Sequence, residues 1–182
     1  METLKEIVKG CINHSKADQH KLYSMFAAKM YGICLRFASN EHDAQDILQE
    51  GFIKAFNNLH LFKWQGSLEG WIRKIMINTA IEKYRNVISH ISPDTIWEIT
   101  GYCFDNDGPG NVGLDELLAQ IQELPDQYRM VFNLSAIEGY NHKEIGEFLG
   151  ISESTSRSNL SRARHLLQQW LLKDEKMLQK VV

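Results

Sequence analysis

The chain has 182 residues, 43% hydrophobic and 24% charged, which suits one ordinary domain or two small ones and excludes a disordered polymer. Its net charge of -3 excludes a uniformly basic surface, so any nucleic-acid affinity must reside in local segments. Cys11, Cys34 and Cys103 form no CxxC pair and no histidine cluster accompanies them, so free thiols in a reducing cytoplasm are expected, with no metal and no cofactor.

The opening "METLKEIVKG" lacks the apolar core of a signal peptide. No apolar run approaches the roughly 20 residues that cross a bilayer, so no membrane insertion is expected. From Leu22 an apolar row steps by three or four residues through Phe26, Met30, Ile33 and Phe37, which predicts a helix. "SNEHDAQ" interrupts it, with Asn40 and Asp43 as alternative caps. A second helical row runs through Ala44, Ile47, Leu48, Phe52, Ala55 and Leu59. On its other side Asp43, Asp46 and Glu50 fall three and four apart, so three carboxylates share one face.

A third helix is expected from about Ser67 to Arg85, carrying Leu68, Ile72, Ile75, Thr79 and Ile81. Trp71 lies on the row with Ile75 and is expected in the core, whereas Trp64, in the preceding loop, is better placed to meet a ligand. From Phe62 to Arg85 the cations Lys63, Arg73, Lys74, Lys83 and Arg85 oppose only Glu69 and Glu82, a local +3. Cations mixed with aromatics suit unwound DNA, where charge follows the backbone and exposed bases stack. The periodicity then dissolves from Asn86 to Leu114, a stretch with Pro93, Pro109 and "DNDGPGNVG". It carries Asp94, Glu98, Asp105 and Asp107 and no Lys or Arg, an acidic strap. No period-two strand is present, and the fold expected is all-α: two small helical domains, residues 1–86 and 114–182, joined by a flexible acidic linker, 87–113.

Helical order resumes at "LDELLAQIQEL", stops at Pro125 and restarts at "DQYRMVFNLSAIEG". Asn141 and Glu144 stand in capping-box relation, so a helix should begin at His142, bury Ile145, Phe148 and Leu149, and end at Gly150. Ser152 can cap the next one, a helix-turn-helix arrangement. Wound at 100° per residue, that second helix puts Ser156, Leu160, Ala163 and Leu167 on one side, extended by Trp170 and Leu171. Ser158, Ser161, Arg162 and His165 fall opposite, with Arg157 on the flank. Small residues permit close approach to a groove, hydroxyls meet phosphates or base edges, and arginine reads guanine bidentately.

The stretch "LPDQYRMVFNLSAIEGYNHKEIGEFLGISESTSRSNLSRAR" resembles the promoter-reading C-terminal domain of bacterial extracytoplasmic-function sigma factors of the sigma-70 family, through Leu124 and Pro125, Arg129, Glu138 and Gly139, Glu144 and Ile145, Leu149 to Ser152, and Arg162 to Arg164. The resemblance implies that Arg157, Ser158, Ser161, Arg162 and Arg164 read the minus-thirty-five element, with Ser156 standing where the family often has valine. "DAQDILQEGFIKAF" is similar to the family's polymerase-docking helix, which implies contact of Asp43, Asp46, Gln49, Glu50 and Phe52 with the clamp helices of the largest polymerase subunit. "FKWQGSLEGWIRKIMINTAIEKYR" resembles the segment that binds and melts the minus-ten element. It implies DNA contacts by Lys63, Trp64, Gln65, Arg73, Lys74, Asn78, Lys83 and Arg85, with Asn78 and the loop Lys63, Trp64 and Gln65 holding one base outside the stack.

The loop "FKWQGS" departs from the family's Phe-Arg-Gly-Glu-Ser. The family further implies core RNA polymerase and promoter DNA, double- and single-stranded, as partners, an anti-sigma factor as inhibitor, and no covalent chemistry of the chain's own. Two other readings stay open. A stand-alone helix-turn-helix regulator with an N-terminal sensing domain is one. The other is an enzyme using Cys34 or Cys103 with a histidine, for which the sequence brings no nucleophile and base together.

Overall fold

The structure, a computed structural model, describes residues 3–90 and 112–181. All regular elements among these are helical. The chain divides into two compact units, Met1–Lys83 and Tyr84–Val182. The acidic strap's Asp94, Glu98, Asp105 and Asp107, and Cys103 with them, lie outside the described residues.

The first unit opens with α1 (Leu4–Ile12), which the sequence reading did not anticipate. Its start is fixed by a capping box: Thr3 Oγ1 accepts from the Glu6 N–H while the Thr3 N–H donates to Glu6 Oε2 at 2.7 Å. Ile7, Val8 and Cys11 are its buried face. Then come α2 (Lys16–Phe37), capped by Ser15, and α3 (Glu41–Asn58). Asn40 wins the choice of cap, because its Oδ1 accepts from the Asp43 N–H at 2.8 Å. Both expected apolar rows are buried, with Leu22 and Ala44 at 0% exposure. Wholly buried side chains such as Leu22 and Met30 each contribute roughly 1.5–3 kcal/mol through lost water contact.

A 3-10 turn (Leu59–Leu61) and a loop lead to α4 (Leu68–His90), where Ser67 Oγ accepts from the Gly70 N–H at 3.1 Å. α4 passes the expected break at Asn86 and reaches His90, since "NVIS" contains no helix breaker and the first proline is Pro93. α2 is tied to α4 by Lys29 and Glu69 at 2.8 Å. α3 approaches α4 closely at Gly51, where a Cβ would collide with Met76 Sδ.

The second unit contains α5 (Val112–Glu123), α6 (Asp126–Phe132), a π-helical turn (Asn133–Ile137), α7 (His142–Leu149) and α8 (Glu153–Val181). Its core joins Ile121 and Leu124 of the first segment to Ala163 and Leu167 of α8, with Tyr128, Phe132 and Trp170 against it. Arg129 is only 3% exposed and works as a joint. Its Nη1 donates to the carbonyls of Gln122 and Leu124, both at 2.9 Å, and its Nη2 pairs with Asp126. The last carbonyls of α5, which no helix of their own can satisfy, thus find a partner on α6.

Candidate nucleic-acid interface

The helix-turn-helix forms as expected, except that Phe148 is only half-buried, edge-on to Tyr140 with ring centroids 5.1 Å apart. Asn141 Oδ1 accepts from the Glu144 N–H at 3.0 Å, and Glu144 Oε2 accepts from the Asn141 N–H at 2.8 Å. Gly150 closes α7 in the left-handed conformation, at φ 69°. Gly146 lets the turn close against α7, since a Cβ there would meet the Ile151 carbonyl oxygen at 2.7 Å. Ser152 Oγ then accepts from the Thr155 N–H at 3.0 Å and starts α8.

On α8, Ser156, Leu160, Ala163 and Leu167 are buried and Trp170 is half-buried. Two positions differ from the expected pattern. Leu171 is exposed, while Trp170 beside it still packs against the core of Ile121, Leu124, Ala163 and Leu167. Asn159 is buried beside Leu160 although it is polar. Arg157, Ser158, Ser161, Arg162, Arg164 and His165 all face solvent, so the structure brings the predicted readers onto one surface. Four of them already have partners: Ser158 Oγ donates to the Thr155 carbonyl at 3.0 Å, and His165 Nε2 meets Gln169 Nε2 at 2.9 Å. Arg157 pairs with Glu153 one turn back, and Arg162 Nη1 donates to the Tyr128 hydroxyl at 3.3 Å. A shallow groove of about 500 Å³ runs beside this face, between α8 and the start of α7.

In the first unit, the loop before α4 holds a second pocket of about 390 Å³. Lys63, Gln65, Ser67, Trp71 and Lys74 line it around Phe62. Lys63 and Gln65 sit where expected, but Trp64 and Asn78 are not part of its wall. Trp64 has a left-handed backbone, φ 59°, and packs on Phe62 with ring centroids 5.1 Å apart. Lys5 of α1 lies 5.5 Å over the indole, a cation–π contact. Asn78 is exposed one turn beyond Lys74. Trp71, expected in the core, is half-buried and stands in the pocket wall, 5.6 Å from Phe62. The fully buried row of α4 lies one residue further on, at Ile72, Met76 and Thr79, which turns Trp71 and Ile75 to the rim. Arg73 is half-buried, and Arg85 is exposed.

The acidic face of α3 requires two corrections. Phe52 is 3% exposed and packs on Tyr23 with ring centroids 4.6 Å apart, so it supports the face from beneath and cannot touch a partner. Lys83, expected on DNA, lies 3.1 Å from both Asp43 and Asp46. Two acids on neighbouring turns of α3 draw it to them. The hydrogen bond from Lys83 holds the Asp46 carboxyl below its ordinary range. Burial alone would lower the Lys83 ammonium, yet its bonds to Asp43 and Asp46 outweigh that and raise it. Lys54 repeats the pattern, at 2.7 Å from Glu50 and 2.6 Å from Glu82. Gln49 is exposed on the flank of this strip, and so is Ile53.

Among the described residues no cluster of three or more His, Cys, Asp or Glu could hold a metal, and no helix is long and apolar enough to cross a membrane. Burial pushes the Cys34 thiol up to about 12 and the Cys11 thiol up to about 11, the latter with help from the Asp18 charge.

An all-helical chain with a helix-turn-helix, a cationic reading face and a cation-lined aromatic loop is the architecture of a promoter-reading factor. Residues 22–87 match Sigma-70 region 2, and residues 114–167 match Sigma-70, region 4. The ECF RNA polymerase sigma factor SigW of Bacillus subtilis (strain 168) is 30% identical over 182 aligned residues, covering 86% of this chain and 91% of that protein. The ECF RNA polymerase sigma factor SigE of Mycolicibacterium smegmatis is 29% identical over 84% of this chain, which spans only 61% of that longer relative. The sigma factor RpoE of Bartonella quintana, solved in complex with the anti-sigma factor NepR, shares the fold with a TM-score of 0.55 at 19% identity, over 85% of this chain and 96% of that one. The chain belongs to the sigma-70 family, and within it to the extracytoplasmic-function sigma factors, which direct RNA polymerase to promoters.

Proposed function

We propose that the chain docks on core RNA polymerase through the strip of Asp43, Asp46, Gln49 and Glu50, and so delivers two DNA-reading surfaces to a promoter. Residues 114–182 read the minus-thirty-five element as intact duplex, through Arg157, Ser158, Ser161, Arg162 and Arg164. Residues 1–86 capture the minus-ten strand once it opens: Lys63, Gln65 and Lys74 line the loop pocket, Trp71 forms its aromatic wall, and Asn78, Arg73 and Arg85 extend the surface along α4. Residues 87–113 link the two.

The single observation that carries this reading is the sorting of α8: Ser156, Leu160, Ala163 and Leu167 buried along one side, arginine and serine exposed along the other. A buried row fixes the helix on its unit, and the opposite row offers the bidentate and small donors that base edges require. The loop pocket supplies what a displaced base needs, an aromatic wall with cations for the neighbouring phosphates. Nucleotide addition stays with the polymerase, and the work takes place in the cytoplasm. An anti-sigma protein holds the factor in reserve, by analogy with the Bartonella quintana pair.

The test is transcription from a library of promoter fragments by core polymerase with and without the purified chain. Specific transcripts are expected only with both, and weak DNA binding by the chain alone. Tight sequence-specific binding by the chain alone, with no transcripts, favours the stand-alone regulator.

A further inference from the structure

Ser156 faces into the second unit with no exposed surface, at a position where an apolar side chain would be the simpler choice. A buried hydroxyl must find a hydrogen-bond partner or lose the bonds it had to water. It finds one across the turn: Ser156 Oγ lies 2.9 Å from Nδ1 of His142, the first residue of α7. That bond uses one ring nitrogen and fixes the plane of the imidazole. The other nitrogen, Nε2, is on the opposite edge of the ring, and His142 lines the groove along α8 together with Arg157, Ser161, Arg164 and His165. The lining holds two guanidinium groups, a hydroxyl and two imidazoles but no carboxylate; Glu153 reaches Arg157 from outside it. Fixed donors with cations on one side suit a phosphate diester better than a base edge.

We propose that His142 is a further DNA-contact residue, which donates from Nε2 to one backbone phosphate of the duplex beside the groove, and that buried Ser156 is the positioning residue that aims it. This rests on the reading of α8 as the duplex-binding helix. When the Ser156 hydroxyl donates to Nδ1, the neutral ring carries its proton on Nε2, the form that a phosphate oxygen can accept from. A phosphate contact sets register without reading sequence, so its loss should weaken every promoter alike.

The experiment measures closed-complex affinity of polymerase carrying the full chain, on promoter fragments that differ in the upstream element. A parallel scan replaces single backbone phosphates by neutral methylphosphonates. His142→Ala should lose about three- to tenfold in affinity, by one common factor across all fragments. One methylphosphonate should weaken the wild type by a similar factor and leave His142→Ala unaffected. Ser156→Ala should show a smaller loss at that same phosphate, and His142→Gln, which keeps a donor and an acceptor, should recover part of it. Ser156→Ala keeps the question answerable if His142→Ala misfolds. Unchanged affinity in both alanine variants, a loss that varies with base sequence, or a full methylphosphonate penalty retained in His142→Ala would each overturn the assignment. A wild type that forms no closed complex on any fragment would overturn the promoter-reading function itself, and this inference with it.

Discussion

Lys83 shows how one side chain can belong to a different site from the one its neighbours suggest. It stands among the cations of α4, yet its ammonium is 3.1 Å from each of two carboxylates on α3. The strip proposed to meet polymerase is therefore partly neutralised from within the unit. Its remaining attraction for a basic partner comes from the uneven count, four acids (Asp43, Asp46, Glu50, Glu82) to two lysines, Lys54 and Lys83. The Asp46 carboxyl titrates below its usual value because Lys83 bonds to its ionised form. With the folded value depressed, the pair stabilises the unit above about pH 4 and the benefit fades as the pH falls through the folded value. Carboxyl-detected NMR should place the Asp46 midpoint below that of an exposed aspartate, and Lys83→Met should move it upward; an unmoved midpoint would dissolve the clasp. Segment charge counts assigned Lys83 to DNA because they contain no information about the face a neighbouring helix presents. The same limit hid the contact of Lys5 with Trp64, residues far apart in sequence that meet where α1 lies beside the loop.

Helices were legible where one period ran long enough. The rows of α2 and α3 are buried as their spacing predicts, because a three-four step can bury only one face. The α7–α8 turn was legible too, since Asn141, Glu144, Gly150 and Ser152 each have one physical use at their position. α1 was missed although Thr3 and Glu6 spell its cap, for nine residues give too few turns of periodicity to notice. On α4 the expected row is buried at Leu68, Ile72, Thr79 and Ile81, but Met76 takes the place expected for Ile75, because both are apolar and only packing decides between them. Arg129 appeared in the sequence only as a family landmark; its function is mechanical. It locks α6 to the end of α5 through two carbonyls and Asp126. Arg129→Ala should lower the stability of the second unit by roughly 2–4 kcal/mol, since it leaves two carbonyls and a carboxylate without their partner. Denaturant unfolding followed by Trp170 fluorescence, in a chain whose other three tryptophans are replaced by phenylalanine, measures it, and a loss below about 1 kcal/mol would remove Arg129 from that role.

Two units of different chemistry are joined in one chain, and the division of labour proposed for them rests on what each exposes. The second offers a rigid helix with hydroxyls and arginines, suited to the regular edge of a double helix. The first offers a loop pocket too confined for a duplex, walled by Trp71 and flanked by Lys63 and Lys74, suited to a base that has left its stack. The two activities should therefore separate by mutation: Arg162→Ala should weaken the initial complex, and Asn78→Ala should slow opening after that complex has formed. Permanganate reactivity of thymines around the start site, followed in time with core polymerase and either variant, measures both steps on one template. The division predicts that Asn78→Ala protects the upstream element normally while its thymines become reactive slowly, and that excess protein restores Arg162→Ala to normal reactivity. Equal loss of upstream protection in both variants would contradict it.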